Sequence, residues 1–427
     1  MLALLLQILM KADSKEHDKQ LIKKGLILSA ALFSNTLLAA PFSYDGSVEL
    51  EQRLFFEANS NNLNPPSSGS VQRGQNSARL LLEFFKEWNK GNDQLVFEPF
   101  ARLDGQDSER THLDVRQLVW THYSEQSEVS VGIGRVFWGV TESQHLVDII
   151  NQTDNVENID GEDKLGQPLA HYSYFNDYGT FDAFILPYFR ERTFEGASGR
   201  LNAGLIIDND NAIYQSAAED SHVDFALRYS HTLGDWGLGF SWFSGTSREP
   251  DLLRFANFET LNTTPFYPQI DQFGSDIQLT LNGWLFKLEA IQRNFDDATY
   301  EDFAATTIGA EYSLVGVFGT SYDLGLLAEY SWDERGERAT SLFQNDAFVG
   351  ARLALNDLND STFLLGFSND LDNTDSRLVF LEGATRLGAS LTLNVELRYF
   401  ASDTPTDPLF LFEDDSFIQI GLEYFFD

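Results

Sequence analysis

The side chains best suited to chemistry gather in one stretch of the 427-residue chain, Gly139 to Leu165. It carries Glu142, Ser143, His145 and Asp148, then a dense acidic run of Asp154, Glu157, Asp160, Glu162 and Asp163. Oxygen-rich runs of this kind suit a hard cation. Calcium could bind residues 154–161, or Asp208-Asn209-Asp210-Asn211. The first run misses the EF-hand register, because Val156 falls where the first aspartate should stand. Solvated acidic loops are the commoner outcome, so no cofactor is expected. Enzyme signatures are absent: there is no Gly-x-Ser-x-Gly elbow, and no His-Glu-x-x-His helix, Walker loop or Gly-x-Gly-x-x-Gly turn. Ser143 and His145 are close in sequence, but spacing alone makes no dyad. The chain has no cysteine, which excludes disulfide frameworks, thiolate metal sites and cysteine nucleophiles.

A second set of charges is spaced by strand geometry. From Tyr44 onward the dominant pattern is strict alternation, the mark of a strand with one apolar and one polar face. Leu391 to Tyr399 is apolar at every odd position and polar at every even one. Ile277 to Asn282 alternates up to the Asn282-Gly283 hairpin signal, after which Trp284, Phe286, Leu288 and Ala290 oppose Lys287, Glu289 and Arg293. If the apolar faces share one surrounding, the polar faces collect Asp224, Arg228, Asp276, Lys287, Glu289, Arg293, Glu329, Arg352, Glu396, Arg398 and Glu423 in one interior. Charges so placed either set an ion preference or brace the wall as salt bridges. Both readings stay open.

Eighteen alternating segments are expected, near 45–56, 77–88, 94–104, 111–124, 128–138, 166–175, 179–190, 222–232, 236–246, 270–282, 284–295, 303–314, 321–332, 346–355, 361–370, 376–386, 389–400 and 415–426. Sixteen is the alternative count. Many span the nine to eleven residues that a tilted strand needs to cross a bilayer, and aromatics sit at the ends of their apolar faces. The even-numbered connections are short. The odd-numbered ones include every long one, among them 57–76, 139–165, 191–221 and 247–269. A mean hydropathy of -0.24 would suit a soluble chain, but alternating strands average to near neutral. The net charge of -36 argues against nucleic acid, whose phosphates need Lys and Arg clusters. It fits a cation-attracting lumen or exterior, or simple solubility.

Lys23-Lys24 precede the apolar stretch Leu26 to Ala40, which reads as a secretory signal peptide cleaved after Ala39. Residues 1–39 are then a leader and 40–427 the barrel. The chain ends Gln419-x-Gly421-x-x-Tyr424-x-Phe426-Asp427. This resembles the signal that closes bacterial outer-membrane barrels, with polar Gln419, Gly421 and the aromatics Tyr424 and Phe426, although the family normally finishes on the aromatic. Architecturally the chain is similar to porins. The resemblance implies an all-β, transmembrane, antiparallel up-and-down barrel in the cell outer membrane, with short periplasmic turns and long extracellular loops. It also implies recognition by the barrel assembly machinery, contact with outer-membrane lipids, and a monomeric or trimeric state. In porins the third outer loop folds inward, which points to 139–165 as a constriction with Glu142, His145, Asp148, Asp154, Glu157 and Asp160 as candidates. The expected activity is passive passage of small hydrophilic solutes, with weak cation preference. An adhesion or scaffold role through the loops, or an outer-membrane hydrolase, are the competing readings.

Overall fold

A computed structural model of the chain describes residues 42–57 and 73–427, except 203, 258, 260, 261 and 406. The expected leader, 1–39, lies outside the described residues. Eighteen strands form one sheet. They are β1 (Ser43–Phe55), β2 (Gly74–Trp88), β3 (Asp93–Asp104), β4 (His112–Tyr123), β5 (Ser127–Gly134), β6 (Gln167–Asn176), β7 (Gly179–Leu186), β8 (Asp224–Leu233), β9 (Trp236–Thr246), β10 (Gln269–Leu281), β11 (Trp284–Phe295), β12 (Phe303–Leu314), β13 (Asp323–Asp333), β14 (Asn345–Ala354), β15 (Thr362–Asp370), β16 (Arg377–Arg386), β17 (Leu391–Ala401) and β18 (Phe417–Phe426). Each pairs antiparallel with its chain neighbours. β18 returns to pair with β1, from Gly46 opposite Phe426 to Phe55 opposite Phe417. The sheet is therefore a closed barrel with no free edge, and the sixteen-strand alternative falls.

Burial along the strands is inverted relative to a water-soluble protein. In β1 the inward Ser47, Glu49, Glu51 and Arg53 are buried, while the alternate Val48, Leu50 and Leu54 are exposed, Leu50 to 61%. β17 and β18 repeat the arrangement, with Tyr399, Ile420, Leu422 and Tyr424 exposed. So continuous an apolar exterior is unfavourable in water and suits hydrocarbon. Near the short turns the outer face is aromatic: Tyr174, Tyr178, Trp236 and Trp284 are exposed, and Trp284 packs on Tyr312 with centroids 4.7 Å apart. Asn282 and Gly283 both take positive φ, 51° and 83°, as a two-residue hairpin that follows the strand twist requires. Among the described residues no helix is long and apolar enough to cross a membrane.

Two strands end sooner than expected. β5 stops at Gly134 rather than 138, and β7 at Leu186 rather than 190. The residues that follow, Val136 and Trp138 in one case and Tyr188 and Phe189 in the other, are apolar because they pack inside the barrel. Two-residue strands tie the long loops 187–223 and 247–268 together: Ile206–Ile207 pairs parallel with Asn262–Thr263, and Ile213–Tyr214 with Phe266–Tyr267.

The inverted burial makes Leu50→Arg a discriminating substitution. A lipid-facing arginine costs about 2–4 kcal/mol at the bilayer midplane, whereas an exposed arginine in water costs little. Urea titration of refolding into phospholipid vesicles, read by heat-modifiable gel mobility, should show a loss of that order.

Candidate functional site: a loop folded into the barrel

The connection between β5 and β6 turns inward at its root. Asn151 fixes the root, donating to the Gly134 and Leu165 carbonyls at 2.8 Å each and accepting from Val136 N at 2.8 Å. The loop leaves this point as two lobes that reach different parts of the wall.

The first lobe, residues 136–150, lies on an apolar patch of the inner wall. Trp138, Val147, Ile149 and Ile150 are buried against Leu169, Phe184, Phe243, Ile270 and Ile291, from β6, β7, β9, β10 and β11. Full burial of such a side chain contributes about 1.5–3 kcal/mol. His145 to Asn151 carries enough apolar residues for a turn or two of helix, but no helix forms there. Backbone donors along 140–147 turn instead to two inward carboxylates of the wall, Glu289 and Glu329. Glu289, wholly buried, accepts from Val140 N at 2.6 Å, Thr141 N at 3.0 Å, Thr141 Oγ1 at 2.7 Å and Val147 N at 3.2 Å. Glu329 accepts from Glu142 N and Ser143 N, both at 2.8 Å, and from Ser143 Oγ at 2.7 Å. Ser143 and His145 thus serve different wall carboxylates and form no dyad.

The second lobe is held by ions rather than by apolar contact. Asp154 lies 2.6 Å from Arg116 on β4, and Glu157 lies 2.7 Å from Arg102 on β3. Arg110 donates to the Val156 carbonyl at 2.8 Å and to Glu51 on β1 at 2.8 Å. Across the lumen, Asn158 donates to Glu396 at 3.2 Å, and Arg398 donates to Asp160 at 2.9 Å, both partners lying on β17. The lobes are clasped to each other by His145–Glu162 at 3.1 Å and Lys164–Asp148 at 3.2 Å. All six loop candidates therefore sit inside the barrel, each against a charged or polar partner.

The loop leaves one edge in water. Glu142 at the tip of the first lobe pairs with Arg352 on β14 at 2.7 Å. Arg398 pairs with Glu382 on β16 at 2.6 Å. Here the side chains are solvated: Arg352 is 46% exposed, Glu382 43% and Glu162 56%. The remaining lumen candidates brace the wall. Arg228 makes a two-pronged pair with Asp276 at 2.7 and 2.8 Å, Lys287 reaches Glu311 at 3.6 Å, Arg293 reaches Glu249 at 3.1 Å, Arg248 reaches Asp224 at 2.8 Å, and Glu423 meets Arg79 at 3.1 Å.

Alternation alone missed Arg102, Arg110 and Arg116. The alternating Arg102 in β3 was available as a signal. Arg116 was hidden by a bulge: Glu98 pairs with Gln117 and Pro99 with Val115, which leaves Arg116 as the extra residue. The oxygen-rich runs proposed for calcium are partly drawn apart. Within 154–161, Asp154 and Glu157 stay near each other beside His112, while Asn158 donates to Asp160 and to Glu396 on β17, and Asp208 closes on its own loop through Asn211 and the Asp210 amide. In the C-terminal signature Gln419 accepts from Arg53 at 2.8 Å, Tyr424 faces outward, and Phe426 pairs opposite Gly46. A Cβ on the inward Gly421 would lie 2.3 Å from Glu49 Oε1.

Closed strand topology, inverted burial and an inward third loop together make the architecture that of a porin-type barrel. No family model matches the chain, and no curated protein does. Solved structures with related backbones include OmpT, an outer membrane protein of Vibrio cholerae in its trimer form. It is 12% identical with a TM-score of 0.43, covering 90% of this chain and 99% of that one. A triple mutant of Rhodopseudomonas blastica porin is 11% identical with a TM-score of 0.42, covering 90% of this chain and 100% of that one.

Two outcomes follow from the way the loop is held. Glu289→Ala strands buried donors, each costing about 1–3 kcal/mol. Hydrogen exchange at Val140, Thr141 and Val147 should therefore accelerate at least tenfold while the barrel keeps its folded mobility. The second outcome concerns His145. Burial opposes its charge, but the Glu162 and Glu289 carboxylates outweigh that and raise it to about 10 from 6.5. A raised histidine stabilises the charged form, so the clasp is complete below 6.5 and lost as pH rises through about 10. Protection factors across 142–149, corrected for the intrinsic rise of amide exchange with pH, should fall in that window, and His145→Gln should abolish that fall.

Proposed function

We propose that the protein is an outer-membrane channel for passive diffusion of small hydrophilic solutes, with residues 139–165 as its constriction. The observation that carries this reading is the solvated edge of the inward loop, where Glu162, Arg352 and Glu382 stand in water inside a closed barrel. Barrels of sixteen to eighteen strands are wide enough to leave an aqueous channel. A loop pinned at both lobes narrows such a channel without sealing it. The mature chain would then sit among outer-membrane lipids, inserted by the assembly machinery that reads the C-terminal signal.

At the narrow edge Glu142, Asp160, Glu162, Glu382 and Glu396 outnumber Arg352, Arg398 and the charged His145, and the chain as a whole carries -36. Rings of like charge bias permeation toward the opposite ion, so the reading includes weak cation preference. The acidic excess in the outer loops adds a longer-range attraction that salt screens over about 10 Å at 0.1 M.

Planar-bilayer recordings test both parts. Deleting residues 143–160 should raise single-channel conductance, and an unchanged conductance would remove the loop from the permeation path. In a potassium chloride gradient the reversal potential should indicate cations, and Glu142→Lys with Glu162→Lys should move it toward anions. A clear anion preference in the wild type would defeat the charge argument. Absence of conductance steps from folded protein would favour a scaffold role instead.

A further inference from the structure

Behind the second lobe, three side chains from two elements aim acceptor atoms at one point. His112 opens β4, and Asp154 and Glu157 belong to the inward loop. One ligand-type atom from each lies within 4.8 Å of the others. His112 Nε2 is 3.5 Å from Glu157 Oε1 and 3.9 Å from Asp154 Oδ2. The other ring nitrogen, Nδ1, is 3.1 Å from the Arg110 carbonyl oxygen. A carbonyl only accepts, so Nδ1 carries the hydrogen and Nε2 of the neutral ring presents a lone pair. That lone pair faces two carboxylates whose charge Arg116 and Arg102 partly offset, and a positive species between the three atoms would relieve the remaining repulsion.

Two species could stand there. A proton on Nε2 would draw it to about 2.7–3.0 Å from one oxygen, and both distances are longer than that. A metal ion holds its nitrogen and oxygen ligands at about 2.0–2.2 Å, which near a tetrahedral angle separates the ligand atoms by roughly 3.3–3.6 Å. The separation to Glu157 falls in that range and the one to Asp154 slightly beyond it. Neither His112 Nε2 nor Asp154 Oδ2 makes a hydrogen bond, although Asp154 is wholly buried. Arg116 lies close to Oδ2 but not along a hydrogen-bond direction.

We propose that His112, Asp154 and Glu157 bind a divalent first-row metal ion, zinc fitting best, which fastens the inward loop to β4. The imidazole nitrogen separates this site from calcium, which takes oxygen ligands, and one nitrogen with two carboxylates suits zinc. The groups that orient the ligands are in place: the Arg110 carbonyl on His112 Nδ1, the Thr193 hydroxyl on Asp154 Oδ1, and Arg102 on both Glu157 oxygens. Such partners fix ring and carboxylate direction around metals. Arg102 and Arg116 also compete for the same carboxylates and lower the affinity. The His112 side chain is 20% exposed, so the ion has a route in from the lumen. The site stands independently of whether the barrel conducts.

The test uses the folded full barrel, stripped with chelator and dialysed against zinc, with metal content measured by elemental analysis. One zinc per chain is expected. Affinity should fall at least 10–100-fold in His112→Ala and in Glu157→Gln, because losing a ligand costs no less than losing a group that orients one. His171→Ala, whose ring pairs with Asp182 elsewhere on the wall, should bind as the wild type does. Copper loaded in place of zinc should show coupling to a single imidazole nitrogen by electron paramagnetic resonance. That measurement needs only the wild type and decides the matter if His112→Ala fails to reach folded mobility. No stoichiometric uptake by the wild type, equal uptake by folded His112→Ala, or copper without nitrogen coupling would each overturn the proposal.

Discussion

Every other feature depends on the pairing of β18 with β1. A backbone surrounded by hydrocarbon has no water to satisfy its donors and acceptors, so a spanning sheet must close on itself. Gly46 to Phe55 opposite Phe426 to Phe417 supplies that closure. Once the wall is closed, its side chains must sort to two sides with period two. The apolar set goes out, and the charged set is confined to a space that cannot be filled by apolar packing alone. The polar interior is thus a consequence of closure as much as a functional choice.

An interior made this way carries buried ions, and each is costly unless paired. Much of the inner wall meets the requirement within itself, as Arg228 does with Asp276. Glu289 and Glu329 do not; their acceptors are satisfied by backbone and hydroxyl groups of the loop. Loop and wall are in this sense complementary halves of one polar core. The loop's apolar residues add contact only where β6, β7 and β9–β11 provide an apolar patch. Elsewhere the same loop is held by arginines, so one segment uses both kinds of adhesion at its two lobes.

The strands were legible because lipid on one side and charge on the other enforce alternation, and all eighteen lie within a few residues of their expected places. Misjudged ends had one cause. Val136 and Trp138, like Tyr188 and Phe189, continue an apolar run for packing within the lumen, and sequence cannot distinguish that from lipid contact. The loop was legible by its length and its mixture of apolar and acidic residues. Its anchorage was not, since the acceptors that hold it, Glu289 and Glu329, are remote in sequence. Arg116 was concealed by a bulge that no periodicity announces. The partners of the charged residues needed coordinates throughout, because alternation places a residue on a face without saying what stands opposite.

The remoteness of those acceptors orders the making of the molecule. Thr141 waits for a residue 148 positions downstream, and Asn158 for one 238 positions downstream. Loop closure over such distances carries an entropy penalty that only an already assembled wall offsets. The loop therefore emerges long before its berth exists and docks late, after most hairpins have zipped. Until a loop of this kind docks, its acidic lobe has only water to satisfy it, and the lumen it will fill holds water in its place.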